Sequence, residues 1–254
     1  MAEIVYLKEL KENKHSKVLC YPKYEQHILE KRLDELEKLG VRAIEFAGKT
    51  TVSDVPVLGK GYVGIVVIAH TKTERAALKI NRIDSGRENM FHEAQMLKKA
   101  NSVNVGPKLL EVSENFLLMQ YIKGANFPDW IKSVKGNKVR SRVNSVLRQV
   151  LEQCYRLDQT GLDHGEIRRA PKHIIVDSKD VPFLIDFETS SVNRRISNVT
   201  AVCQYFFLGS QIAPKVAEKR GNVNEKELIK RLRAYKQKQT RANFEKILDT
   251  AQQF

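Results

Sequence analysis

Apolar residues recur along this chain with two periods, and the change from one to the other divides it. From Val55 to Ile80 the spacing predicts strand, glycine turn, strand, turn, strand. Ile65-Val66-Val67-Ile68 and Ala76-Ala77-Leu78-Lys79-Ile80 are the second and third strands. A helix is expected over Glu88 to Ala100, capped by Asp84 or Ser85, with Glu93, Met96, Leu97 and Ala100 on roughly one face. Asn104-Val105-Gly106-Pro107 then breaks the chain before strands at Lys108 to Val112 and Phe116 to Tyr121. Together these make a small five-stranded sheet with one helix. Ahead of them, Ile28, Leu29, Leu33, Leu36 and Leu39 form a helical stripe stopped by Gly40, and a strand follows from Val41 to Phe46. This extension reads as a brace on the sheet, with a substrate-docking helix as the alternative.

Beyond Lys123-Gly124 the period becomes helical. Val143, Val146, Leu147, Val150, Leu151, Cys154 and Leu157 recur at three and four, which predicts a core-facing helix delivering the chain to Gly161. Asn224 with Glu227 has the capping-box form ahead of Leu228, Leu232 and Tyr235, and Thr240 can cap a last helix carrying Phe244, Ile247 and Leu248. The expected organisation is an extension over 1–50, a sheet-rich part over 51–121 and a helical part over 122–254, with a hinge at Gln120 to Gly124.

Composition narrows the setting. The 254 residues, 42% of them hydrophobic, suffice for a substantial core, and no apolar window approaches a membrane span. Cys20, Cys154 and Cys203 are widely separated and include no Cys-x-x-Cys pair, against a disulfide framework or a zinc site. The N-terminus lacks the order of a secretion signal, so a reducing cytoplasm is the expected compartment. A net charge of +14 changes the picture more, because such an excess attracts polyanions. Between Lys215 and Arg241 ten Lys or Arg face three Glu. That tract is either a solvated helix face or a contact for RNA or a ribonucleoprotein.

The candidate chemistry lies in five ordered pieces: Leu58-Gly59-Lys60-Gly61-Tyr62-Val63-Gly64, then Lys79, Glu93, His164-Gly165-Glu166, and Leu184-Ile185-Asp186-Phe187. A glycine-rich phosphate loop, a lysine, an acid, a polar loop and a metal-binding aspartate, in that order, form the layout of phosphoryl transfer from ATP. Over Val55 to Ser191 the chain resembles the protein-kinase superfamily, and more closely its compact atypical branch of RIO-type kinases and the small kinase of the tRNA-modifying KEOPS complex. Within that branch it is similar to an archaeal family of predicted Ser/Thr protein kinases. The resemblance implies an α+β, two-lobed kinase-like fold, with a small antiparallel-sheet N-lobe bearing one helix and a compact, mostly helical C-lobe. It implies ATP and Mg²⁺ as cofactors. Gly59, Gly61 and Gly64 would lie over the phosphates, Lys79 would contact the α- and β-phosphates, and Glu93, rather than Glu88, would direct Lys79. Met119 would be the gatekeeper, with adenine read by backbone groups around Gln120 to Ile122. Asp186 would hold the metal, and Arg168 would stand near the transferring phosphate, while Arg169 would instead face the substrate.

The chain also departs from that pattern. Glu166 occupies the position of the catalytic aspartate, and Asp163 is a rival base. His173 replaces the metal-binding asparagine after a two-residue insertion; it is either a ligand, which would favour Mn²⁺ or leave out a second metal, or a hydrogen-bonding residue of the loop. Glu188 stands where a glycine usually follows Asp-Phe, and no Ala-Pro-Glu segment follows, so the platform that docks peptides is missing or rebuilt. Three function classes result. The first is an ATP-dependent phosphotransferase, acting on protein Ser/Thr or hydrolysing ATP, in a translation-related ribonucleoprotein. The second is a small-molecule kinase of the aminoglycoside type, and the third a catalytically weak nucleotide-binding adaptor.

Overall fold

The computed structural model describes residues 2–11, 14–86, 90–167 and 172–252. It is a mixed α and β structure whose N-terminal part is built on an antiparallel sheet and whose C-terminal part is mostly helical. The chain forms two compact units, Met1–Gln95 with Lys108–Tyr121 and Met96–Pro107 with Ile122–Phe254. Among the described residues no helix is long and apolar enough to cross a membrane.

In chain order the first unit contains β1 (Glu3–Tyr6), α1 (Leu7–Leu10), α2 (Ser16–Leu19), α3 (Gln26–Lys38), β2 (Ala43–Phe46), β3 (Thr50–Val52), β4 (Val55–Val57), β5 (Gly59–Lys60), β6 (Gly64–His70) and β7 (Arg75–Asn81). Then comes α4 (Phe91–Asn101), within which the units divide, followed by β8 (Leu109–Val112) and β9 (Phe116–Gln120). The main sheet has seven strands in the order β1-β2-β6-β7-β9-β8, with β5 paired to β6, while β3 and β4 form a separate hairpin. The expected five-stranded sheet is thus recast: its first strand, from Val55, pairs with β3 outside the main sheet, the glycine segment supplies β5, and the first fifty residues add β2, paired with β6, and β1 as an edge strand. One face of the sheet is covered by α3, whose Leu29, Leu33 and Leu36 join Ile65, Val67, Leu78 and Phe116 in one buried cluster. Arg32, buried, donates to the Leu19 carbonyl and to Asn115 Oδ1, and Glu35 accepts from both Asn115 N and Asn115 Nδ2 at 2.8 Å. These bonds tie α3 to the β8–β9 turn, so α3 is a brace. The helix α4 starts at Phe91, so neither Asp84, paired with Arg82, nor Ser85, bonded to Asn81, caps it; Glu88 lies outside the described residues.

The second unit contains β10 (Gly124–Asn126), α5 (Phe127–Ser133), α6 (Val139–Gln159), β11 (Ile174–Asp177), β12 (Pro182–Leu184), α7 (Asn198–Cys203) continued by a π-helical turn at Gln204–Leu208, then α8 (Ala213–Arg220), α9 (Glu225–Gln237) and α10 (Arg241–Gln252). The apolar stripe of α6 is buried throughout, as its spacing requires. Phe127 of α5 meets Phe206 of the π-helical turn at 4.9 Å, and Tyr155 of α6 stacks on Phe244 of α10 at 4.5 Å. The small sheet β10-β11-β12 carries the two segments that bear His173 and Asp186.

Candidate functional site

In the first unit the glycine segment is the β5–β6 hairpin, in which Gly59 pairs with Val66 and the Gly61 amide donates to the Gly64 carbonyl at 2.8 Å. Tyr62 stands exposed at its tip. Of the three hairpin glycines Gly64 is the most tightly placed: a Cβ there would stand 3.0 Å from Lys79 Cγ and Cε and 3.1 Å from the Ile80 carbonyl. The hairpin therefore lies directly on Lys79. That lysine sits in β7 between Val66 and Leu117, its side chain 6% exposed, and its Nζ donates to Glu93 Oε2 at 2.7 Å. Glu93 is equally buried and sits in the first turn of α4, where a carboxylate also meets the positive end of the helix dipole. A strand lysine with its head in solvent is thereby excluded. Met119 is buried in β9, and Gln120 uses its amide on the Lys108 carbonyl at 2.8 Å and its side-chain Oε1 on the Lys108 amide at 3.2 Å.

In the second unit the polar loop after α6 holds three titratable groups near one another. His173 Nε2 lies 3.3 Å from Asp186 Oδ2 and 3.6 Å from Glu166 Oε2. His173 is buried, whereas Asp186 and Glu166 keep about a third of their side chains in solvent. Asp186, two residues beyond β12, has a φ of +69°, a left-handed conformation that costs a non-glycine residue energy and that aspartate tolerates better than most. His164 is fully buried, donates from Nε2 to the Ile185 carbonyl at 3.1 Å, and packs on Phe187. Desolvation, reinforced by the neighbouring His173, lowers its pKa to about 4, so it is neutral at pH 7. Gly165, at φ +88°, passes under the Arg194 guanidinium, where any Cβ would overlap. Arg168 and Arg169 lie outside the described residues.

Asp163 is occupied differently from Glu166. Its Oδ1 accepts from both the amide and the hydroxyl of Ser197 at 3.1 Å, its Oδ2 pairs with Arg194 at 3.5 Å, and its backbone bridges Ser191 in both directions. That is a structural post at the start of α7, and it leaves Glu166 as the more accessible carboxylate of the loop.

Two residues absent from the sequence reading hold this loop up. Asp158, on the buried face of α6, accepts from Asn198 N, Asn198 Nδ2, Val199 N and the Tyr235 hydroxyl. Asn198 in turn donates to the Leu162 carbonyl at 2.7 Å and accepts from the His164 amide at 2.8 Å. Burial raises the Asp158 pKa to about 6, against the pull of those donors. The signal was an acid beside Leu157 at the apolar edge of the α6 stripe.

The basic tract from Lys215 to Arg241 is not one continuous face. Arg220 is buried, donating to Asn144 Oδ1 and to the carbonyls of Gly221 and Ala251, and Arg241 is forked onto Glu152 and also pairs with Glu245. Arg231 pairs with Glu227 at 2.6 Å. Leu228, Leu232 and Tyr235 are buried, which leaves Lys226, Lys230, Arg233 and Lys236 outward on α9.

No protein-family model matches this chain, and no curated protein matches it.

Proposed function

We propose that the chain is an ATP-dependent phosphotransferase of the atypical kinase type, akin to the RIO-type kinases, that phosphorylates protein serine or threonine, or hydrolyses ATP as a switch, in a translation-related ribonucleoprotein. The observation that carries this reading is the buried Lys79–Glu93 pair beside a glycine hairpin whose Gly64 packs closely on the lysine side chain. A lysine buried in a sheet has poor access to water, and a carboxylate that fixes its direction prepares it for a polyphosphate rather than for solvation. Backbone N–H groups of the hairpin can approach phosphate oxygens because no side chain intervenes.

The second unit contributes the carboxylates. Glu166 is the proposed proton acceptor: the substrate hydroxyl oxygen forms its bond to the γ-phosphorus, the bond from that phosphorus to the β–γ bridging oxygen breaks, and the hydroxyl proton passes to Glu166 while ADP leaves. A divalent cation, held by Asp186 with His173, would neutralise phosphate charge. Asp186 offers the hard oxygen that Mg²⁺ prefers, and the His173 nitrogen shifts the donor set toward Mn²⁺. The ribonucleoprotein setting rests on the net charge of +14 and on the outward lysines and arginine of α9.

A second reading, the catalytically weak nucleotide-binding adaptor, is favoured by one feature: His173 stands between Glu166 and Asp186 and can hold both. Thermal shift with ATP and either metal, followed by transfer of labelled phosphate, separates the two. Binding with transfer or hydrolysis is expected; binding without either selects the adaptor, and no binding removes both.

A further inference from the structure

From Trp130 to Leu151 the chain carries six basic residues and no acidic one. The stretch runs from the end of α5 through the connecting turn into α6. Arg142 is neutralised, its guanidinium donating to both oxygens of Asp180 at 2.6 and 3.0 Å. Lys132, Lys135, Lys138 and Arg140 are exposed, and none has an ion pair among the described residues. This corner differs from α9, where Glu225 and Glu227 interleave with the cations and Lys230 and Arg231 lie 3.9 and 2.6 Å from Glu227. The corner is also held still. Asp180 accepts from the Trp130 indole at 3.0 Å as well as from Arg142, which ties the end of α5 to the first turns of α6, and Val134 is buried between them. Unrelieved like charges on a fixed corner repel one another, and a polyanion removes that repulsion while releasing its own counterions.

We propose that the α5–α6 corner is a binding surface for the phosphate backbone of double-stranded nucleic acid, RNA in the setting above. It builds on the nucleic-acid part of that reading and is independent of phosphoryl transfer. Two absences in the patch choose this partner among polyanions. No large apolar side chain between residues 131 and 148 is exposed, and beside the corner the only exposed one among the described residues is Val181, next to Asp180, which is too little apolar area to insert into a lipid surface. No aromatic side chain is exposed there either, so single-stranded bases have no platform to stack on. What remains is charge alone, which reads a duplex by its backbone with weak sequence preference.

The test is anisotropy of a labelled RNA duplex across a salt series, with the full chain, a corner variant (Lys132→Gln, Lys135→Gln, Lys138→Gln, Arg140→Gln) and an α9 variant (Lys226→Gln, Lys230→Gln, Arg233→Gln). The corner variant should bind at least about tenfold more weakly, with a log–log salt slope shallower by about 3 to 4, and the α9 variant should change less. In wild type, lysine acetylation read by mass spectrometry should be suppressed by the duplex at Lys132, Lys135 and Lys138. Wild-type slope in the corner variant with loss in the α9 variant overturns the corner and leaves the ribonucleoprotein reading standing. Wild-type affinity no better than that of an unrelated protein of equal charge overturns both. Equal binding of anionic vesicles, lost in the same variant, replaces the duplex by a membrane.

Discussion

Lys79 and Glu93 depend on each other because neither charge can be solvated where it lies. Removing one partner leaves the other desolvated without this ion pair, whereas replacing both with apolar groups removes that penalty. Glu93→Ala should therefore cost about 3 to 5 kcal/mol in urea unfolding, and Lys79→Met with Glu93→Leu should recover most of it. A single-variant loss under about 1 kcal/mol would mean the pair is solvated. At the loop, Glu166→Gln should lower phosphoryl transfer by about two orders of magnitude with unchanged melting, since it removes the proton acceptor. Asp163→Ala should instead lower stability by about 1 to 3 kcal/mol, because the Ser197 amide and hydroxyl lose their acceptor. The reverse assignment of effects would make Asp163 the base. Lys79 and Glu93 could be read from sequence because a lysine after Ala-Leu on an apolar strand and an acid on an amphipathic helix are each locally conspicuous. Asp158 left only the hint of an acid at the edge of the α6 stripe, and its role with Asn198 could not be read, since it comes from a tyrosine 77 positions away and from a helix start that only folding brings near.

At the scale of elements, periodicity over several turns carried the information and short edge segments did not. The stripes of α3, α6, α9 and α10 could be read because burial repeats every three or four residues over at least three turns. The four residues of β1 bury only Val5, and pairing of Glu3 with Phe46 and Tyr6 with Ala43 is set by a partner forty residues on. The glycine hairpin makes a direct prediction: Gly64→Ala pushes a methyl group against Lys79 and should weaken ATP binding while the melting temperature falls little, as read by calorimetric titration. Equal affinity would show that the hairpin gives way without consequence. The junction of α6, α7 and α9 at Asp158 makes a second one. Its pKa rises from 3.8 to about 6 on folding, so the folded state holds a proton that the unfolded state releases between those values. Stability from this group is fully present below pH 3.8 and is lost as pH rises through about 6. Relative to Asp158→Asn, the wild type should lose up to about 3 kcal/mol between pH 4 and 7 in paired urea melts. A difference that does not vary with pH would contradict the raised pKa.

At the scale of the whole molecule, the central claim of the proposed function is that Lys79 and Glu93 of the first unit and Glu166 and Asp186 of the second serve one reaction. The excess of basic charge is a separate property, distributed over α9 and the α5–α6 corner rather than gathered on one tail. Small-molecule kinases of the aminoglycoside type take cationic substrates, which a chain of net charge +14 repels at long range. The most direct measurement is a single-turnover reaction with γ-labelled ATP, Mg²⁺ or Mn²⁺ and no added substrate, run on wild type, Lys79→Met and Asp186→Asn. Metal-dependent release or transfer of the label by wild type and loss in both variants are expected, with Lys79→Met, which leaves Glu93 buried without its ion pair, assayed below its lowered melting temperature. Label left on ATP by the wild type with either metal, or turnover retained in either variant, would contradict that central claim.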